Sequence, residues 1–91
     1  MLEKVKTALR ITTDRFDFEI LDLIEAAKLD LGVAGVVIPE ESNALVERAI
    51  TTYCVMNFGE PDYYDRLKAS YDEQKAQLST ATGYTEWIER T

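Results

Sequence analysis

Histidine is absent from the 91 residues of this chain. That removes the commonest general base, the Ser–His and Cys–His dyads, and the usual nitrogen ligand of a transition metal. Cysteine occurs once, at Cys54, so no internal disulfide can form and the fold asks for no oxidising compartment. Cys54 lies in an apolar helical stretch, and a buried, inert thiol is expected there. No apolar run approaches the ~18 residues of a spanning helix. Residues 1–10 are basic but lack the apolar segment of a signal peptide. These absences point to a soluble, intracellular protein with no membrane partner. Gly32 and Gly35 fit neither the P-loop nor the dinucleotide-binding glycine pattern. Cations are also scarce: ten Lys and Arg against 17 Asp and Glu give a net charge of -7. Tight binding to nucleic acid needs phosphate-neutralising cations, so this balance argues against it, and against an anionic membrane surface. Like charge does suit a wall that lets DNA slide past without gripping it.

What is present is apolar helix. At 46% apolar residues, the chain has enough for a core and too much for disorder. Its length gives one domain, or a domain with a tail, that buries a modest core. Leu2, Val5, Ala8 and Leu9 recur at helical spacing, with Glu3, Lys4, Lys6 and Arg10 facing outward, which predicts a short first helix. Thr12, Thr13 and Asp14 are N-cap residues, and a second helix is expected over 14–31, stopped by Gly32. Its core stripe is Phe16, Ile20, Leu23, Ile24, Ala27 and Leu31. Phe18, Leu21 and Leu29 lie off that stripe, so the helix is too apolar to have only one side to bury. We expect the surplus to pack on other molecules.

A longer loop follows over 32–41, punctuated by Gly35 and Pro39. Val36, Val37 and Ile38 in it are either extended or packed over the core. Ser42 or Asn43 caps a third helix that runs to Phe58, with Leu45, Ala49, Tyr53 and Met56 on one stripe and Val46, Ile50 and Cys54 widening it. Gly59 ends it, and Glu60, Pro61 and Asp62 open a fourth helix that reaches Leu78. Tyr64, Leu67, Tyr71 and Leu78 form a narrow seam there, interrupted by Gln74. The expected fold is all-α: a compact bundle of about four helices over 1–79, and a C-terminal tail over 80–91. The tail carries Tyr84, Trp87 and Ile88, large apolar groups that a free tail does not need.

Carboxylates are the one plentiful reactive group. Asp22 and Glu25 share a face at i,i+3 and could in principle serve acid–base work or hold a hard cation. The spacing of a calcium loop is missing, so a solvated helix face is the expectation. A helix-turn-helix reading fails because no helix carries an Arg/Lys cluster; Arg48 is the third helix's one cation. Tyr53 and Tyr71 are expected in the core.

The segment over residues 2–32 resembles the start of the small head–tail connector proteins of tailed bacteriophages, also called head-completion or adaptor proteins. The resemblance is carried by Leu9-Arg10-Ile11, the Thr13-Asp14 caps, and Ile20, Leu23, Ile24 and Ala27 on an acidic helix. Val46, Ala49, Ile50 and Tyr53, the Asn57-Phe58-Gly59 exit, and the helix from Tyr71 to Leu78 extend it over residues 2–79. It implies a structural virion protein, not an enzyme, with no cofactor, no metal and no catalytic residue. Such proteins form a homo-oligomeric ring below the portal protein, extend the DNA channel, and present a surface to the next head-closure or tail protein. DNA passes through without sequence-specific binding. A head-to-tail ring needs two different adhesive sides per subunit. Phe18, Leu21 and Leu29 on the second helix suit one of them, and Tyr84, Trp87 and Ile88 in the tail suit the other. The alternative is a small acidic helical module that regulates one protein partner.

Overall fold

The computed structural model describes residues 1–38, 43–59 and 61–80. Four α-helices are present there, and no strand: α1 (Leu2–Leu9), α2 (Asp17–Val33), α3 (Ala44–Asn57) and α4 (Tyr64–Thr80). The expected all-α bundle is therefore what forms. Helix α3 is its axis, since α1, α2 and α4 all pack against it. The Phe16 and Phe58 rings meet edge-on at 5.5 Å, which sets the start of α2 beside the end of α3. Leu45 and Leu78 line one groove, and Tyr53 meets Tyr71 at 5.3 Å. Thus α3 runs antiparallel to both α2 and α4, and the latter two point the same way.

The core draws on every helix. Val5 of α1 and Ile20, Ile24, Ala27 and Leu31 of α2 meet Val46, Ala49, Ile50, Cys54 and Met56 of α3, with Tyr71 and Leu78 of α4 closing the seam. On α3 the flanking set Val46, Ile50 and Cys54 is buried together with Ala49 and Met56 of the expected stripe, while Tyr53 is partly covered and Leu45 half exposed. Helix α4 buries two residues seven apart, Tyr71 and Leu78, with Leu67 partly covered and Tyr64 largely outside. Ala8, expected in the apolar repeat of α1, is exposed.

The helix ends differ from expectation for identifiable reasons. Asn43 is the α3 cap; its Oδ1 accepts from the backbone N–H groups of Leu45 and Val46 at 3.0 and 3.1 Å. The alternative cap Ser42, like Pro39, Glu40, Glu41 and Glu60, lies outside the described residues. Thr12, Thr13 and Asp14 do not cap α2. Thr13 Oγ1 accepts from the Arg15 N–H at 3.3 Å, and the Asp14 carbonyl accepts from the Asp17 N–H at 3.2 Å. The Thr13 hydroxyl and the Asp14 carbonyl thus hold a turn that precedes the helix, the former as short polar side chains do when they compete for local backbone donors. Pro61 and Asp62 likewise sit in a turn ahead of α4, which starts at Tyr64.

Gly32 does not stop α2. The chain continues through it, and the stop comes at Gly35, whose φ of 90° lies in the left-handed region. The Val36 N–H donates to the Leu31 carbonyl and the Gly35 N–H to the Gly32 carbonyl, at 3.0 Å each. This is a Schellman closure, with the two hydrophobic partners Leu31 and Val36 both buried. Its consequence is that Val33 sits on the helix rather than in a loop. Helix α1 ends in the same way, with Ile11 donating to the Lys6 carbonyl and Arg10 to that of Thr7. There the left-handed position, φ 59°, is taken by Arg10, whose Cβ is strained in that conformation.

Two outcomes follow for urea unfolding. Ile20→Ala or Leu31→Ala should cost about 2–5 kcal/mol, whereas Leu29→Ala, on the outer side of the same helix, should stay within about 0.5 kcal/mol. Arg10→Gly should stabilise the chain by roughly 0.5–1 kcal/mol, because relief of the strained φ exceeds the extra unfolded-state entropy of glycine.

Candidate interaction surface

Helix α2 is apolar on two opposite sides. At about 100° per residue, Ile20, Ile24, Ala27 and Leu31 cluster on the side that faces α3. Phe18, Leu29 and Val33 lie about 150–170° away, along roughly 22 Å of helix, with Leu21 on the flank about 90° from the core side. Phe18, Leu21, Leu29 and Val33 are 86%, 42%, 71% and 88% exposed. Helix α2 therefore shows almost no net amphipathicity, although each of its sides is sharply defined. Glu19, Asp22 and Glu25 are exposed on the same outer region, and Glu25 lies 3.5 Å from Lys28. Four large apolar side chains exposed on one helix, with Asp22 and Glu25 between them, make this the candidate contact surface.

Two polar clamps hold this stripe in place. At the start of α2, Lys6 Nζ sits 2.9 Å from Asp17 Oδ1. Lys6 was expected to face solvent; instead it is buried, and its hydrogen bond to Asp17 raises its pKa above the ordinary value against the opposing effect of desolvation. The pair ties α1 to the first turn of α2, where a carboxylate also suits the helix dipole. Near the other end, the Tyr71 hydroxyl donates to Asp30 Oδ2 at 2.5 Å, and Lys75 Nζ reaches the same oxygen at 3.1 Å. The Tyr71 hydrogen bond holds the Asp30 carboxyl below its ordinary range, with Lys75 adding to the effect. Burial, reinforced by the Asp30 carboxylate, pushes the Tyr71 phenol far up. Lys75 also lies 5.2 Å from the Tyr71 ring centre. The sequence placed Tyr71 in the core but gave no sign of its hydroxyl partner, which lies 41 residues away.

Sites for chemistry are poor. Burial pushes the Cys54 thiol up to about 11, so it stays protonated and unreactive near neutrality. Asp22 and Glu25 are exposed, as expected of a solvated helix face. Among the described residues no three acidic, Cys or His side chains gather as a metal site. A groove of about 270 Å³ between α3 and α4 is lined by Leu45, Arg48, Ser70, Glu73 and Gln74. Gln74 Oε1 is buried there and accepts no hydrogen bond among the described residues. No described helix is long and apolar enough to cross a membrane.

Phe18, Leu21 and Leu29, which the sequence offers for a subunit contact, are exposed on α2, and so is Val33. Val33 was missed because the helix was ended at Gly32, although its spacing of four from Leu29 was the signal. Tyr84, Trp87 and Ile88 lie outside the described residues.

An exposed apolar helix side on a small bundle is a generic feature, and comparison with known families adds what it lacks. The family described as phage connector protein matches residues 1–85. The chain belongs to that family. No curated protein and no solved structure matches it. The match covers all four helices and ends before Trp87 and Ile88. As a phage connector protein, the chain is a structural component of the virion and works by contact with other virion proteins. That role accounts for a fold whose most distinctive surface is apolar stripe rather than cleft.

The clamp on Asp30 predicts a pH dependence on both sides of neutrality. A lowered carboxyl pKa contributes stability that is present above the ordinary Asp value of 3.8 and lost as pH falls through the folded value. A raised phenol pKa contributes stability that is full below the ordinary Tyr value of 10.0 and lost as pH rises beyond it. In urea unfolding followed against pH, Tyr71→Phe should flatten the alkaline limb and weaken the acid one. Unchanged limbs would show that the Tyr71–Asp30 bond does not matter to stability.

Proposed function

We propose that this connector protein assembles as a closed head-to-tail ring on the portal vertex, where it extends the DNA channel and offers a platform to the next head-closure or tail protein. Membership of the connector family carries this reading. A ring in which each copy meets the next through non-identical patches needs an adhesive side that the monomer leaves uncovered, and the outer stripe of α2 meets that need. The stripe is presented rigidly, since the Lys6–Asp17 and Asp30–Tyr71–Lys75 clamps fix both ends of its helix. Rigid presentation lowers the ordering cost of association.

The net charge of -7 supports the channel role. A ring of acidic subunits repels the phosphate backbone, so DNA passes without being held. The sequence holds no histidine, the commonest general base, and the buried Cys54 thiol stays protonated near neutrality.

The test is to mix the purified protein with portal rings of the same phage and image them by electron microscopy. An additional ring layer on one end of the portal is expected. Phe18→Glu or Leu29→Glu should abolish that layer while leaving helical content and unfolding midpoint near those of the parent, because both side chains lie outside the core. A portal left bare by the parent protein under assembly conditions would overturn the proposal.

A further inference from the structure

Helix α4 is attached differently from the other three. Helices α1, α2 and α3 each pack on the other two, whereas the packing of α4 is against α3. Its tie to α2 is polar, through Asp30 held by the Tyr71 hydroxyl and Lys75. Of its 17 residues, Tyr71 and Leu78 are buried.

We propose that α4 is a strap: it opens from α3 as a unit while α1, α2 and α3 stay folded, and so uncovers an apolar side of α3 formed by Leu45, Ala49 and Tyr53.

Three observations carry this. The first is what α4 covers. Tyr53 meets Tyr71 at 5.3 Å, and Leu45 lines a groove together with Leu78. Ala49, fully buried, lies between Leu45 and Tyr53 at i,i+4 spacing. That side of α3 is closed by α4. The second is how poorly the seam closes. Gln74 stands between Tyr71 and Leu78, and its buried Oε1 has no donor among the described residues. An unmatched buried acceptor favours an open state in which water reaches it. The groove of about 270 Å³ beside Gln74 shows that α3 and α4 do not meet closely there. The third is a hinge. Helix α3 ends at Asn57, and Gly59 follows with a φ of 70° and nothing within 4 Å of where a Cβ would stand. The backbone can turn at such a residue without displacing a neighbour.

Units of a fold that open first are those with few buried apolar contacts. A single helix released from its seam is marginal in water, so its amides exchange once it opens. In a protein that works by contact with other virion proteins, the strap covers an apolar side of α3 in the closed chain and offers it in the open one. This holds whether or not the chain forms a ring.

Hydrogen exchange followed by NMR on the full chain in dilute urea tests the strap. The hydrogen-bonded amides of α4 should share one opening reaction. It should be at least about tenfold more populated than the opening that exposes the amides of Ile24 and Ile50, and should depend less on urea because it exposes less surface. Val5 belongs to α1, whose packing partners are α2 and α3. Val5→Ala should therefore speed exchange in α2 and α3 about tenfold and leave α4 unchanged, since those helices are still folded when α4 opens. Gln74→Leu should slow α4 exchange about tenfold by removing the unmatched acceptor. Exchange of α4 in step with α3, at the same urea dependence, would mean that α4 opens only with the whole chain and would overturn the proposal. So would α4 exchange that speeds with Val5→Ala, or that does not slow with Gln74→Leu. A gradient running inward from Thr80 and insensitive to urea would mean a fraying end, and would overturn it as well.

Discussion

The structure depends on α3 being buried along most of its length. Val46, Ala49, Ile50, Cys54 and Met56 give one helix enough apolar surface to receive three others. Fully burying a large apolar side chain is worth about 1.5–3 kcal/mol, so in a chain this short these few residues supply much of the driving force. Helices α1 and α4 are too short or too polar to hold together alone. Helix α1 contributes one fully buried apolar residue, Val5, and α4 contributes Tyr71 and Leu78. Their place is fixed by α3, and α2 becomes the element with the most apolar surface to spare.

That surplus is what links fold to function. A helix that carries large apolar groups on its outer side as well as its inner one must be prevented from rotating the wrong side inward, and Asp22 and Glu25 on the outer side already oppose that. Lys6–Asp17 at one end and Asp30 with Tyr71 and Lys75 near the other do this. Each clamp pairs a charge on or beside α2 with a partner that only the correct rotation brings within reach, since a misplaced buried charge is costly. Polar contacts at the flanks thereby decide which apolar side becomes core and which becomes contact surface. Membership of the phage connector family fits a protein whose working part is such a surface.

Much of this was legible in the sequence because helical periodicity is a local property. The spacing of Ile20, Ile24, Ala27 and Leu31 marked the inner side of α2, and the excess of Phe18, Leu21 and Leu29 marked the outer one. Asn43 was readable as a cap because it precedes an apolar-periodic run. Errors arose where two local signals competed. Gly32 and Gly35 are both plausible stops, and the choice fell to Gly35 because Val36 could then be buried against Leu31. Thr12, Thr13 and Asp14 have capping chemistry, yet Thr13 Oγ1 and the Asp14 carbonyl are taken by a turn that precedes the helix. Lys6 looked like surface because lysine usually is, and became buried because Asp17 was waiting for it.

By itself, the sequence determined the helical class, the outer apolar residues of α2, the lack of histidine and disulfide chemistry, and the acidic balance. Each is a matter of composition or of spacing within one turn or two of chain. Only the tertiary structure decided that α3 is the central helix, that Val33 extends the stripe, and that Asp30 is gripped by residues more than forty positions away. These depend on which surfaces meet. Such meetings are set by burial and charge pairing summed over the whole bundle, and no local window of sequence contains that sum.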